Sequence, residues 1–217
     1  MREPGAIPAD LLAPIGRVVT DALNRVDGLR IDQVMVVGAW CRDIWHHALS
    51  HQFRTAATQD LDLAIAVDSW TVFETIAHAY RRVGDSGIRF LISDLKVDIL
   101  PFGDIEDPVG TTEPPTRAEG MSVWAFSEVF AASTSLNLGE IGTVRIPTVP
   151  GYAATKLAAW LDRSEWNETK DASDIALAMH WYADSPEIHD RLYDTEVGQA
   201  VLVSEESSIL RVPPLIC

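Results

Sequence analysis

Thr58-Gln-Asp-Leu-Asp-Leu-Ala-Ile-Ala-Val67 is the stretch that decides the fold. Its alternation reads as a β-strand, in which every second side chain shares a face. Leu61, Leu63, Ile65 and Val67 then point into a core, while Asp60 and Asp62 project together from the other side. Two neighbouring carboxylates repel each other unless a cation, a strong donor or a shared proton compensates. Lys96-Val97-Asp98-Ile99-Leu100 offers a second strand, and Asp98 is the natural third acid. Three hard oxygen donors suit Mg2+, or Mn2+ in its place, which takes few protein carboxylates and completes its shell with water and substrate phosphates.

Upstream, Val34-Met35-Val36-Val37 suits a buried strand, and Gly38 ends it and opens a helical segment over residues 39–49. A strand, a glycine and a helix in that order make a phosphate site, because the first helical N–H groups are unpaired and glycine lets a ligand approach the backbone. Gly38 and the backbone of Ala39 are the candidate contacts. Arg42, one turn into the helix, either reaches a phosphate or pairs with Asp43. His46, His47 and His51 lack a fourth partner for tetrahedral zinc and are expected to be solvated or in a loop.

The remaining segments build around this centre. Helical spacing predicts an amphipathic helix over 8–26, and Asp68-Ser69 looks like the cap of another that ends near Arg82. Residues 88–92 and 95–100 read as strands of a hairpin turning at Ser93-Asp94, with Pro101 and Gly103 ending the second strand. Residues 104–120 read as a long surface loop. A short helix is expected after Ser127, then strands near 133–138 and 142–146. Pro147 and Pro150 mark a boundary, so the expected fold is α+β: a small mixed sheet flanked by helices in 1–146, and a helical part in 147–217. Helices are expected there over 151–161 and 170–182, with short helices or turns over 186–193 and 197–210. Lys156 lies on the first of these helices. Asp171 and Asp174, at i and i+3 on the second, share a face and either position an acceptor or pair with Arg163 or Lys170.

Composition bounds the function classes. With 17 basic and 32 acidic residues the formal net charge is -15, which repels a polyanion at long range and argues against extended DNA binding. Cys41 and Cys217 do not suggest a disulfide framework, and no apolar run approaches the roughly 20 residues of a membrane span, so a cytoplasmic protein is expected.

Taken in order, Val36-Val37-Gly38-Ala39-Trp40-Cys41-Arg42-Asp43, Thr58-Gln59-Asp60-Leu61-Asp62-Leu63 and Lys96-Val97-Asp98-Ile99-Leu100-Pro101-Phe102-Gly103 resemble the nucleotidyltransferase (DNA polymerase β-like) superfamily. The later Tyr152-Ala153-Ala154-Thr155-Lys156-Leu157 and Lys170-Asp171-Ala172-Ser173-Asp174-Ile175 resemble the AbiEii-type branch, which includes the MenT toxins. The resemblance implies transfer of a nucleoside monophosphate from an NTP to a hydroxyl, with Asp60, Asp62 and Asp98 holding two Mg2+ ions. It assigns Gly38, Ala39, Arg42 and Lys156 to the triphosphate. The implied acceptors are an RNA 3' end or a protein hydroxyl, and a toxin of this kind would have a cognate antitoxin. The alternatives are a small-molecule adenylyltransferase and a non-catalytic nucleotide-binding protein of the same fold. One departure stands out: Ala39 replaces the second residue of the family's Gly-Gly or Gly-Ser turn, which removes a hydroxyl but leaves the backbone N–H groups.

Overall fold

The computed structural model describes residues 7–51, 55, 60–163, 170–183 and 185–204. Its strands are β1 (Val34–Val37), β2 (Asp60–Val67), β3 (Arg81–Arg82), β4 (Arg89–Ile92), β5 (Leu95–Gly103), β6 (Thr111–Thr112), β7 (Met121–Ser122), β8 (Thr134–Asn137) and β9 (Thr143–Ile146). Its helices are α1 (Ala9–Arg25), α2 (Gly38–Ala48), α3 (Trp70–Ala79), α4 (Phe126–Ala131), α5 (Val149–Arg163), α6 (Lys170–Ala183), α7 (Pro186–Tyr193) and α8 (Glu196–Ser204). Seven strands form one mixed sheet in the order β3-β4-β5-β2-β1-β9-β8, and β6 pairs with β7 separately. The α+β class expected from the sequence is the one observed. Residues 58–59 of the opening stretch and the end of the expected 197–210 helix lie outside the described residues.

Alternation in the central strands sorts side chains between two cores. On one face Leu61, Leu63 and Ile65 of β2 join Val97 and Ile99 of β5, Phe90 and Ile92 of β4, and the buried stripes of α1 (Ile15, Val18, Val19, Ala22) and α3 (Val72, Phe73, Ile76). Each buried Val, Leu, Ile or Phe among them stabilises the fold by about 1.5–3 kcal/mol relative to exposure. On the opposite face Ala64 and Ala66 follow the two aspartates, and with Met35, Val37, Leu100 and Phe102 they meet Phe126, Val129 and Phe130 of α4 and Ala154 of α5. Phe102 packs edge-on to Phe126 at 5.8 Å and to Phe130 at 5.5 Å. This second core was not visible from the β2 stripe alone. It roofs the apolar half of that face and leaves the acidic half outside the core.

Several boundaries differ from expectation, each for a local reason. α3 ends at Ala79 rather than near Arg82, because Arg81 and Arg82 pair with Leu91 and Phe90 as an edge strand. Ser69 occupies the cap position of α3, but its hydroxyl makes no capping bond. β5 does not stop at Pro101. Its register with β4 ends at Asp98 and is followed by one main-chain bond, from Ile99 N–H to the Ile88 carbonyl at 2.9 Å; past that point a proline lacking N–H is tolerated, and Pro101 stays in register with Ile65 of β2. The expected loop over 104–120 contains β6, whose Thr112 is fully buried.

α5 packs on α2 and α4, and its Tyr152 is buried beside Trp181 of α6. Among the described residues no helix is long and apolar enough to cross a membrane.

Candidate active site on the second face of the sheet

The parallel register of β2 and β5 sets Asp62 beside Asp98 and Asp60 beside Lys96, and antiparallel β1 sets Val37 beside Asp62. The hairpin then sets Arg89 beside Asp98 and Leu91 beside Lys96. Two rows, each crossing four strands, therefore lie on one face of the sheet. Arg89, Asp98, Asp62 and Val37 form one, and Arg81, Leu91, Lys96 and Asp60 the other. Asp60, Asp62 and Asp98 share a face, as the alternation predicts.

Gly38 closes the first row at the start of α2. Its φ is +64°, in the left-handed region that L side chains rarely adopt. A Cβ built there would lie 2.7 Å from Asp62 Cγ and would collide with Asp62 Oδ2. The glycine is thus required twice, by its backbone angle and by the carboxylate pressed against it. Trp40 of α2 donates its indole N–H to the Asp60 carbonyl at 3.0 Å, fixing the first residue of β2 to the helix.

Arg89 is the residue that sequence reasoning missed. Its Nε and Nη2 donate to Asp98 Oδ1 and Oδ2 at 2.7 and 2.8 Å, a bidentate pair, and Nη2 lies 3.1 Å from Asp60 Oδ2. Its pKa is raised by the hydrogen bonds to Asp98, against burial, and further by the charges of Asp98, Asp60 and Asp62. A signal for it was present. A two-residue turn at Ser93-Asp94, both with positive φ, fixes the hairpin register and places residue 89 opposite residue 98.

The expected triphosphate cations sit elsewhere in the charge pattern. Arg42 is 2% exposed and donates to Asp43 Oδ1 at 2.8 Å and Asp174 Oδ1 at 3.3 Å. Burial alone would lower its pKa, but the hydrogen bond to Asp43 and the charges of Asp43 and Asp174 leave it raised. Lys156 is buried, with Nζ 2.7 Å from Asp174 Oδ2 and 3.4 Å from Asp171 Oδ1. Asp171 and Asp174 do share a face, and among the described side chains they clamp Lys156 and Arg42. Arg163 and Lys170, the pairing partners expected from the sequence, have side chains outside what is described. Tyr152 lies under this network, its pKa raised first by burial and then by Asp174. One histidine departs from expectation: His46 is 3% exposed, its Nδ1 accepts from Trp181 Nε1 at 3.3 Å, and its ring stacks on His51, whereas His47 is exposed and His51 lies beyond the end of α2.

Among the described residues no group of three or more His, Cys, Asp and Glu is gathered as a ready-made ion site. The donor chemistry of Asp60, Asp62 and Asp98 nevertheless fits a hard divalent cation, and they share one face beside a helix N-terminus. Between two of them stands the Arg89 guanidinium.

No protein-family model matches this chain, and no curated protein matches it. Solved structures match its fold. The solution structure of the antibiotic-resistance factor ANT(2'')-Ia is 14% identical with a TM-score of 0.47, covering 90% of this chain and 95% of that one. The crystal structure of ANT(2'')-Ia in complex with adenylyl-2''-tobramycin is 17% identical with a TM-score of 0.43, covering 90% and 98%. An antigenic nucleotidyltransferase-like protein from Paracoccidioides brasiliensis is 16% identical with a TM-score of 0.46, covering 90% and 91%.

Proposed function

We propose that this chain transfers a nucleoside monophosphate from an NTP to a hydroxyl acceptor. The observation that carries the reading is the row Asp98, Asp62, Val37 ending at Gly38, which brings acids from two strands against the start of a helix. The opening of α2 at Gly38 and Ala39 receives the triphosphate through backbone N–H groups and the helix dipole. Asp60, Asp62 and Asp98 would hold Mg2+, which when bound neutralises charge on the attacking and leaving oxygens. Asp98 takes the proton of the acceptor hydroxyl. The hydroxyl oxygen bonds to the α-phosphorus, the bond from that phosphorus to the oxygen leading to the β-phosphate breaks, and pyrophosphate leaves. Arg42 and Lys156, held by Asp43, Asp171 and Asp174, fix α2 against α5 and α6 behind the phosphate site.

The acceptor classes are an RNA 3' end, a protein hydroxyl, as in a toxin restrained by a cognate antitoxin, and a small molecule. Incubation with Mg2+ and NTPs labelled at the α-phosphate, alongside total RNA, lysate protein or small-molecule extract, distinguishes them. One class becomes labelled, and Asp60→Asn with Asp62→Asn abolishes the label. Labelling that survives the double substitution refutes the site assignment. A non-catalytic nucleotide-binding protein is the second reading, and the Arg89 clamp on Asp98 favours it. It predicts NTP binding with no acceptor labelled.

A further inference from the structure

The acid triad already has a cation. Arg89 engages both oxygens of Asp98 and one of Asp60, and it is held in place from two sides. The tight turn at Ser93-Asp94 fixes its strand in register with β5, and Phe90 beside it is fully buried on the opposite face. The three carboxylates and this guanidinium leave two formal negative charges where the triad alone would leave three. A divalent ion seeking Asp98 and Asp60 meets oxygens whose best donor directions are taken, and it meets a positive charge as well.

We propose that Arg89 is a resident counter-cation of the triad, and that a divalent ion gains Asp98 and Asp60 only by displacing it. This rests on reading Asp60, Asp62 and Asp98 as a metal-binding set. The free chain then takes up divalent ions weakly. An arriving NTP adds its own negative charge, draws in metal and offers the guanidinium another anionic partner, so metal and nucleotide load together. Arg89 acts through Asp98 and Asp60 and is a positioning residue. Lys96 provides an internal comparison, because it shares the same face and stands beside Asp60 in register, yet it is exposed and forms no ion pair with the triad among the described contacts.

The test is a Mn2+ titration of the full chain, with free Mn2+ read by electron paramagnetic resonance, without nucleotide and then with a non-hydrolysable ATP analogue. Wild type is compared with R89Q, R89K and K96Q, and folding is checked by thermal unfolding. Removing a positive charge in direct contact predicts that R89Q binds Mn2+ about tenfold or more tightly than wild type without nucleotide, whereas K96Q changes it by less than about threefold. R89K falls between, because an ammonium cannot hold both Asp98 oxygens. With the ATP analogue the gap between wild type and R89Q narrows. If R89Q fails to fold, R89K carries the test with the same direction.

An R89Q affinity equal to or weaker than wild type overturns the proposal, as does equal tightening in K96Q, which would mark a general field effect. Nucleotide-dependent Mn2+ binding by wild type with no response to R89Q overturns the role of Arg89 alone. Absence of Mn2+ binding in every variant, with and without the analogue, removes the metal-binding reading and this inference with it.

Discussion

Replacing Gly38 with alanine separates a backbone cost from a site-specific one. An L-residue at φ +64° costs about 1–2 kcal/mol wherever it occurs. At Gly38 the new methyl would also collide with the Asp62 carboxylate, its carbon lying 2.7 Å from Asp62 Cγ, and overpacking of this kind adds about 1–3 kcal/mol. Gly84 is the natural control: its φ is +71° and a Cβ there meets nothing within 4 Å. Gly84→Ala therefore isolates the backbone term and leaves nucleotidyl transfer unchanged. Denaturant unfolding should place Gly38→Ala below Gly84→Ala by the overpacking increment. Displacing Asp62 from its position should also lower transfer by about a hundredfold, as misplacement on the scale of an ångström does. If Gly38→Ala matches Gly84→Ala in both stability and activity, Asp62 is not pressed against the start of α2 and the site has been drawn wrongly.

Three further outcomes follow from the buried groups. Asp174→Ala takes one of two carboxylate partners from both Lys156 and Arg42, which keep Asp171 and Asp43, and should cost about 1.5–3 kcal/mol in chemical denaturation, whereas an unchanged midpoint would show that the network is solvated. The Cys41 thiol is fully buried and its pKa is pushed well up by burial, with Lys156 opposing only in part. With Cys217 replaced by serine, the folded chain should resist alkylation until it is unfolded, and rapid modification of the native protein would contradict the packing of α2. Tyr80 is pushed up to about 12 from 10.0, first by burial and then by Asp21, with Arg25 opposing. Because the neutral phenol is favoured in the folded state, this stability is fully present below pH 10.0 and is lost as pH rises toward about 12. Unfolding free energy should fall across that window, and fall less in Tyr80→Phe.

The acid face was legible because strand alternation is a local rule: Asp60, Asp62 and Asp98 needed only their own neighbours to be sorted from Leu61, Leu63 and Val97. The position of Gly38 followed equally from the change of strand to helix. Arg89 was legible in principle, since the Ser93-Asp94 turn fixes its partner. It was missed because an arginine on an edge-side strand reads as solvated until the register is counted. Pro101 reads as a strand end because the sequence does not say where β4 stops. The pairing of Arg42 with Asp174 spans 132 positions and depends on how α6 docks beside α2, which no local pattern encodes. The same holds for His46, whose burial is decided by Trp181.

The central claim is that the acids at the start of α2 serve transfer of a nucleoside monophosphate, and the position of the transferred label tests it most directly. Parallel reactions with NTP labelled at the α- or the γ-phosphate should leave only the α-label on the acceptor. The γ-label should be released as pyrophosphate, and both signals should vanish with Asp62→Asn. A γ-label found on the acceptor would make the reaction phosphoryl transfer, and an α-label that persists in Asp62→Asn would place the chemistry elsewhere on the chain.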